Sequence, residues 1–91
     1  MKTDVSIASP LRKYTEKNSC ITLDAATVRE LLEKLTAQYP DLIQTICEED
    51  LSIKPIVSIY VGERNCNDED GLETRLDEGV TVYIVPTIAG G

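Results

Sequence analysis

The sequence predicts an α+β domain, a mixed β-sheet with one main helix packed across it. Three observations carry this. Residues near the N-terminus alternate apolar and polar with period two, the middle of the chain holds a capped amphipathic stripe, and two β-branched runs follow at 56–61 and 80–85. Strands gathered before and after a helix, without strict strand–helix alternation, suit a mixed sheet covered on one face. With 91 residues, 42% of them hydrophobic, the chain makes one domain over 1–91 around one core. A domain of this size has little stability to spare for an internal cavity, which places any chemistry at an edge or a terminus.

The first strand is read from Val5 and Ile7, which alternate with Asp4 and Ser6 and stop near Ser9-Pro10. Residues 11–19 are polar except for Leu11 and Tyr14, so they form a long loop to a second strand at Cys20-Ile21-Thr22-Leu23. Thr27 is placed to cap a helix, and Glu30 to complete a capping box. Behind the cap, Val28, Leu31, Leu32, Leu35 and Tyr39 form one apolar stripe, which Pro40 ends. A shorter helical pattern follows through Leu42, Ile43 and Ile46. Residues 56–61 are the best strand by composition, expected well inside the sheet and closed by Gly62. Residues 65–71 read as loop near a short edge strand, and Leu72 and Leu76 share one face of a short turn. Val80-Thr81-Val82-Tyr83-Ile84-Val85 makes the last strand.

Sixteen Asp and Glu against nine Lys and Arg leave a net charge of −7, crowded at Glu48-Glu49-Asp50, Asp68-Glu69-Asp70 and Asp77-Glu78. Such a surface repels a phosphate backbone and excludes nucleic acid as a partner. The acidic runs read as solvated loops or as docking sites for basic partners. Cys20, Cys47 and Cys66 are odd in number and widely spaced, which fits neither a disulfide framework nor a zinc site. With no His, a protein-bound metal is not expected. Cys20 and Cys47 are assigned to the core as small apolar groups. Cys66, in a polar turn, is assigned to the surface, where it is open to a persulfide or redox role. Ser and Thr occur without a His base, so the chain is not expected to be an enzyme. Met1-Lys2-Thr3-Asp4 carries no apolar signal region and no run reaches the ~20 residues of a membrane span, so a cytoplasmic protein without a membrane partner is expected.

After the last strand the chain reads Pro86-Thr87-Ile88-Ala89-Gly90-Gly91. Pro86 cannot donate to a sheet ladder, so the strand is expected to stop there and release a flexible tail over 86–91. The two glycines lack a Cβ, which lets an extended backbone thread a narrow channel and bring a carboxylate against a nucleotide phosphate.

The run Asp77-Glu78-Gly79-Val80-Thr81-Val82-Tyr83-Ile84-Val85-Pro86-Thr87-Ile88-Ala89-Gly90-Gly91 resembles the C-terminal signature of the prokaryotic ubiquitin-like sulfur carriers. These include the small subunit of molybdopterin synthase and the thiamin-pathway carrier. Val57-Ser58-Ile59-Tyr60-Val61 with Gly71-Leu72, and Val5-Ser6-Ile7 followed by Leu11-Arg12, resemble the branch that serves cysteine synthesis. The resemblance covers nearly the whole chain, loosely before Ile56. The sequence departs from it at Lys54-Pro55, where the family often carries an Arg and an aromatic residue, and at Cys66 in its turn.

The resemblance implies a ubiquitin-like β-grasp fold with the first and last long strands side by side. It also implies that an adenylating E1-like enzyme uses ATP to convert the Gly91 carboxylate to an acyl-adenylate, and that sulfur then displaces AMP to leave a thiocarboxylate. A sulfur-accepting biosynthetic enzyme, cysteine-synthase-like or a molybdopterin synthase large subunit, takes the sulfur. Gly91 is then the sulfur-carrying residue, and Gly90, Ala89 and Ile88 enter the partner's active site. No catalytic residue, metal or bound cofactor is implied in this chain, since the ATP is used by the partner. Two readings of other classes share the same sequence: a ubiquitin-like modifier joined through Gly91 to lysine amines, and a β-grasp interaction module whose Gly-Gly is incidental.

Overall fold

The computed structural model of the protein describes residues 2–87. Its strands are β1 (Lys2–Ile7), β2 (Cys20–Asp24), β3 (Val57–Val61), β4 (Arg64–Asn65) and β5 (Thr81–Pro86), with helices α1 (Val28–Gln38) and α2 (Pro40–Ile46) between β2 and β3. The five strands form one sheet in the order β2-β1-β5-β3-β4. β1 and β5 run parallel, in register from Asp4 opposite Thr81 to Ile7 opposite Ile84, and the other pairs are antiparallel. The mixed sheet crossed by a helix is therefore present, and the first and last long strands are neighbours.

Period-two alternation sorts each strand onto two faces. One face buries Val5, Ile7, Val57, Ile59, Val82 and Ile84 in a core shared with Val28, Leu31, Leu32 and Leu35 of α1 and Leu42, Ile43 and Ile46 of α2. The other face is not covered by either helix, and carries Ser6, Tyr60 and Tyr83 in register across β1, β5 and β3.

Local signals explain the helix boundaries. Thr27 Oγ1 accepts the Glu30 N–H at 3.2 Å, and the Glu30 carboxylate reaches back to the Ala26 N–H at 2.7 Å, one residue earlier than a capping box requires. Replacing Thr27 with Ala is expected to cost about 0.5–2 kcal/mol, the usual loss for an N-cap hydroxyl. Matched denaturant curves for the two proteins measure it, and coincident curves would remove the cap from the account. α1 closes at Gln38, and Tyr39 is the capping residue, half-buried against the core, rather than a member of the stripe. Pro40 ends α1 and also opens α2 as its first residue, where a missing N–H costs nothing.

β3 lies inside the sheet as expected, between the middle strand β5 and the two-residue β4, to which it is joined through Gly62 at φ +63°. Two expectations require correction. The loop at 11–19 is not irregular throughout. Ser9–Tyr14 forms a 3-10 helix that buries Leu11 and lets Arg12 Nε donate to Ile7 O at 2.9 Å. β5 ends at Pro86 as expected, but the chain is not released at that residue. Pro86 is paired opposite Val57, and the Thr87 N–H still donates to Ile56 O at 2.9 Å. Nitrogens alternate sides along a strand, so those of Tyr83, Val85 and Thr87 face β3 and that of Pro86 faces β1. β1 ends opposite Ile84, so no ladder partner awaits the missing N–H.

Candidate functional site

The residues singled out as the site, Ile88, Ala89, Gly90 and Gly91, lie outside the described residues, which end at Thr87. What the structure defines is the root from which they extend. Val85 is paired with Ser58 and Pro86 with Val57, so the root belongs to the middle strand of the sheet. Thr87 is held at two points, its N–H by Ile56 O and its hydroxyl by Pro55 O. The segment receiving it is a turn at Pro55 and Ile56, closed by the Val57 N–H donating to Lys54 O at 3.2 Å.

The surface around this root is apolar. Among the described residues, the exposed large hydrophobic side chains are Ile56, 43% exposed, and Tyr83, 41% exposed. Ile56 meets Thr87 across the β3–β5 pair, and Tyr83 lies four residues before it, paired with Tyr60. All stand on the face opposite the helices, because their neighbours Val57, Val82 and Ile84 point into the core. Exposed apolar groups gathered on one strand pair mark an interaction surface more readily than scattered ones do. Alternation around Val57, Val82 and Ile84 held the signal for both residues, which the sequence reading did not use.

Two of the acidic runs lie at one end of the sheet, where Glu69 and Asp77 line the same cleft, and the third lies elsewhere. Asp77 and Glu78 precede β5 at the end opposite its root, about 20 Å away for a six-residue strand. Asp68, Glu69 and Asp70 follow β4, near the Val61 end of β3, where Glu69 pairs with Arg64 at 3.2 Å. Glu48, Glu49 and Asp50 form the loop after α2 that leads into the 54–56 turn, and the Asp50 carboxylate accepts the Ser52 N–H there at 3.0 Å.

Two of the three cysteine assignments reverse. Cys20 is exposed, since β2 buries Ile21 and Leu23 and turns Cys20, Thr22 and Asp24 outward. Cys66 is fully buried. Its polar neighbours satisfy themselves in an Asx turn, Asn65 Oδ1 accepting the Asn67 N–H at 2.9 Å, which leaves the thiol facing the core. Cys47 is buried as expected. Burial raises both buried thiols above the ordinary value, that of Cys47 to about 11. Thiolate formation there is suppressed, and a persulfide role for Cys66 loses its basis. A thiol reagent is accordingly expected to label Cys20 alone in the native protein and all three sites in denaturant, counted by intact mass. Prompt labelling of two or more native sites would contradict the burial.

The described residues hold no group of three or more His, Cys, Asp or Glu able to bind a metal. None of their helices is long and apolar enough to cross a membrane. The cleft between α2 and its following loop, about 290 Å³, is shallow and lined by Ile43, Cys47, Leu51 and Lys54, with Lys54 Nζ already donating to Gln44 O at 3.0 Å. Glu48 and Glu49 also line it, and burial holds the Cys47 thiol in its protonated form.

A ThiS family profile matches residues 5–91. A candidate sulfur carrier protein of Archaeoglobus fulgidus is 37% identical over 71 residues, covering 78% of this chain and 81% of that protein. Small archaeal modifier protein 3 of Haloferax volcanii is 38% identical over 68 residues, covering 75% of this chain and 73% of that protein. Among solved structures, a chain of the Amycolatopsis orientalis BexX/CysO complex superposes with a TM-score of 0.88 at 26% identity, covering 98% of this chain and 99% of that one.

Proposed function

The chain belongs to the ThiS family, and from that premise we propose that it carries sulfur as a thiocarboxylate on Gly91 and donates it in the synthesis of cysteine or a related sulfur compound. Its mixed sheet is the ubiquitin-like β-grasp arrangement. The observation that supports the reading is the placement of the root from which the tail extends. The root at Pro86 and Thr87 continues the middle strand and emerges beside an exposed apolar patch, so one surface serves for docking and for delivery.

The chemistry assigned to the tail balances as follows. A carboxylate oxygen of Gly91 attacks the α-phosphorus of ATP in the adenylating partner, and pyrophosphate leaves. A sulfur nucleophile at the oxidation level of sulfide then attacks the acyl carbon, and AMP departs with the bonding electron pair. The thiocarboxylate that remains is a polarizable sulfur anion, nucleophilic for the reason thiolates are. The catalytic groups belong to the partners: an E1-like activating enzyme that holds the ATP, and a sulfur-accepting enzyme of the cysteine-synthase type. This chain contributes binding, reach and the reacting carbon. Glycines at 90 and 91 keep the approach to the phosphate narrow. The face with Ile56, Tyr60 and Tyr83 is assigned to the adenylating partner, because its exposed apolar side chains share the strand pair that ends at the root of the tail.

Incubation of the intact chain with its adenylating enzyme, ATP and sulfide tests the reading. The intact mass is expected to rise by about 16 Da, as one oxygen is replaced by sulfur. A chain that binds that enzyme but is never adenylated would leave only an interaction module. A second reading, a protein modifier, is favoured by the 38% identity to a small archaeal modifier protein. It predicts adducts through lysine amines of other proteins rather than a free thiocarboxylate, and the same mass measurement on cell extract separates the two.

A further inference from the structure

We propose that Thr87 is a positioning residue that sets the reach of the C-terminal tail, an inference that rests on the sulfur-carrier reading. Its amide and hydroxyl close a clamp on two consecutive carbonyls, those of Ile56 and Pro55. A strand that simply ended would hold its last residue by one ladder bond and fray. Here the turn at Pro55 and Ile56 presents both carbonyls to one side chain and its own backbone.

The receiving turn is itself braced. Lys54 joins it to α2 twice, its N–H donating to Ile46 O at 2.9 Å and its Nζ to Gln44 O at 3.0 Å. The bridge between Cys47 and Ile53 adds a third tie just ahead of it. Pro55 contributes a fixed φ, which limits how far the turn can deform. A path of hydrogen bonds therefore runs from α2 through Lys54 and the turn to Thr87, so the start of the tail is referred to the rigid core.

The consequence is geometric. Gly91 lies four residues beyond the clamp, which bounds its reach at about 14 Å of extended chain. Opening the clamp frees Thr87 and Pro86 as well, each adding about 3.3–3.6 Å of slack and backbone freedom that a partner must remove on binding. Productive binding weakens while the chemistry of the bound complex is unchanged, because the bound tail adopts the same path. Thr87 thus acts on KM rather than on kcat.

Three variants of the intact chain test this with the adenylating enzyme, ATP and sulfide: Thr87→Val, which keeps the shape and loses the hydroxyl; Thr87→Ser, which restores it; and Thr87→Pro, which removes the amide too. Thr87→Val is expected to raise KM for the carrier about 3–10-fold with kcat within about twofold, with Thr87→Ser near wild type and Thr87→Pro above Thr87→Val. Hydrogen exchange on the free proteins is expected to show a protected Thr87 amide in wild type and Thr87→Ser, and at least about tenfold faster exchange in Thr87→Val. An unchanged KM in both Thr87→Val and Thr87→Pro overturns the positioning role, while leaving the carrier reading intact if thiocarboxylate still forms. Failure of the wild-type chain to be adenylated removes the carrier reading. A Thr87 amide that exchanges in wild type as fast as in an unstructured chain removes the clamp.

Discussion

Removing Gly91, or adding one residue after it, abolishes the ~16 Da gain in mass on incubation with the adenylating enzyme, ATP and sulfide; this is the largest functional effect expected of any single change. The argument is one of distance. In-line attack on the α-phosphorus requires the reacting oxygen within about 3–3.5 Å of its target, and one residue of extended chain displaces it by about 3.3–3.6 Å. The rate is expected to fall by at least about 100-fold, the scale of loss for a displacement near 1 Å or more. The fold is expected to be unchanged, because the sheet and the tie at Thr87 lie before the deleted residue. Intact-mass spectrometry alongside circular dichroism measures both halves. A truncated chain that is still converted would move the reacting carbon off Gly91.

Ile84→Ala is expected to cost about 2–5 kcal/mol, the largest stability loss among changes away from the tail. Ile84 is fully buried on the middle strand, paired with Ile7 on one side and Ile59 on the other, both fully buried themselves. Neither strand can close on the void without shifting a ladder, so the cavity persists. Against a total of about 5–15 kcal/mol for a domain, the loss is a large share. A fall in Tm of about 10–30 °C is the matching observable for a domain under 100 residues. A cost below about 0.5 kcal/mol would show that this part of the core is not packed as described.

The architecture was legible because it rests on periodic signals. The stripe from Val28 to Leu35 and the alternation of Val5 with Ile7 each name a buried face without reference to the rest of the chain. The cap at Thr27 was legible for the same reason, as it needs only residues three apart. Sheet order was not local information. β3 and β5 are both rich in β-branched residues, and composition alone does not say which of them takes the middle. Single side-chain directions in short turns were also hidden. The polar flanks of Cys66 suggested exposure, but Asn65 and Asn67 bond to each other and leave the thiol inside. Cys20 is a different case, for its outward direction follows from Ile21 and Leu23 on the same strand. The clamp at Thr87 could not be read at all. It depends on the turn at Pro55 and Ile56, some thirty residues earlier, and on the tie of Lys54 to α2.

The parallel pairing of β1 with β5 has a consequence for how the chain comes into being. Residues near Asp4 wait for residues near Thr81 before the sheet has a centre. Until then β1 with β2, and β3 with β4, are separate two-stranded ribbons, marginal alone in water. A pairing so distant in sequence forms late and slowly. The strand that joins the two ribbons is β5, so a chain that lacks it is expected to be left with two unpaired ribbons and no complete core.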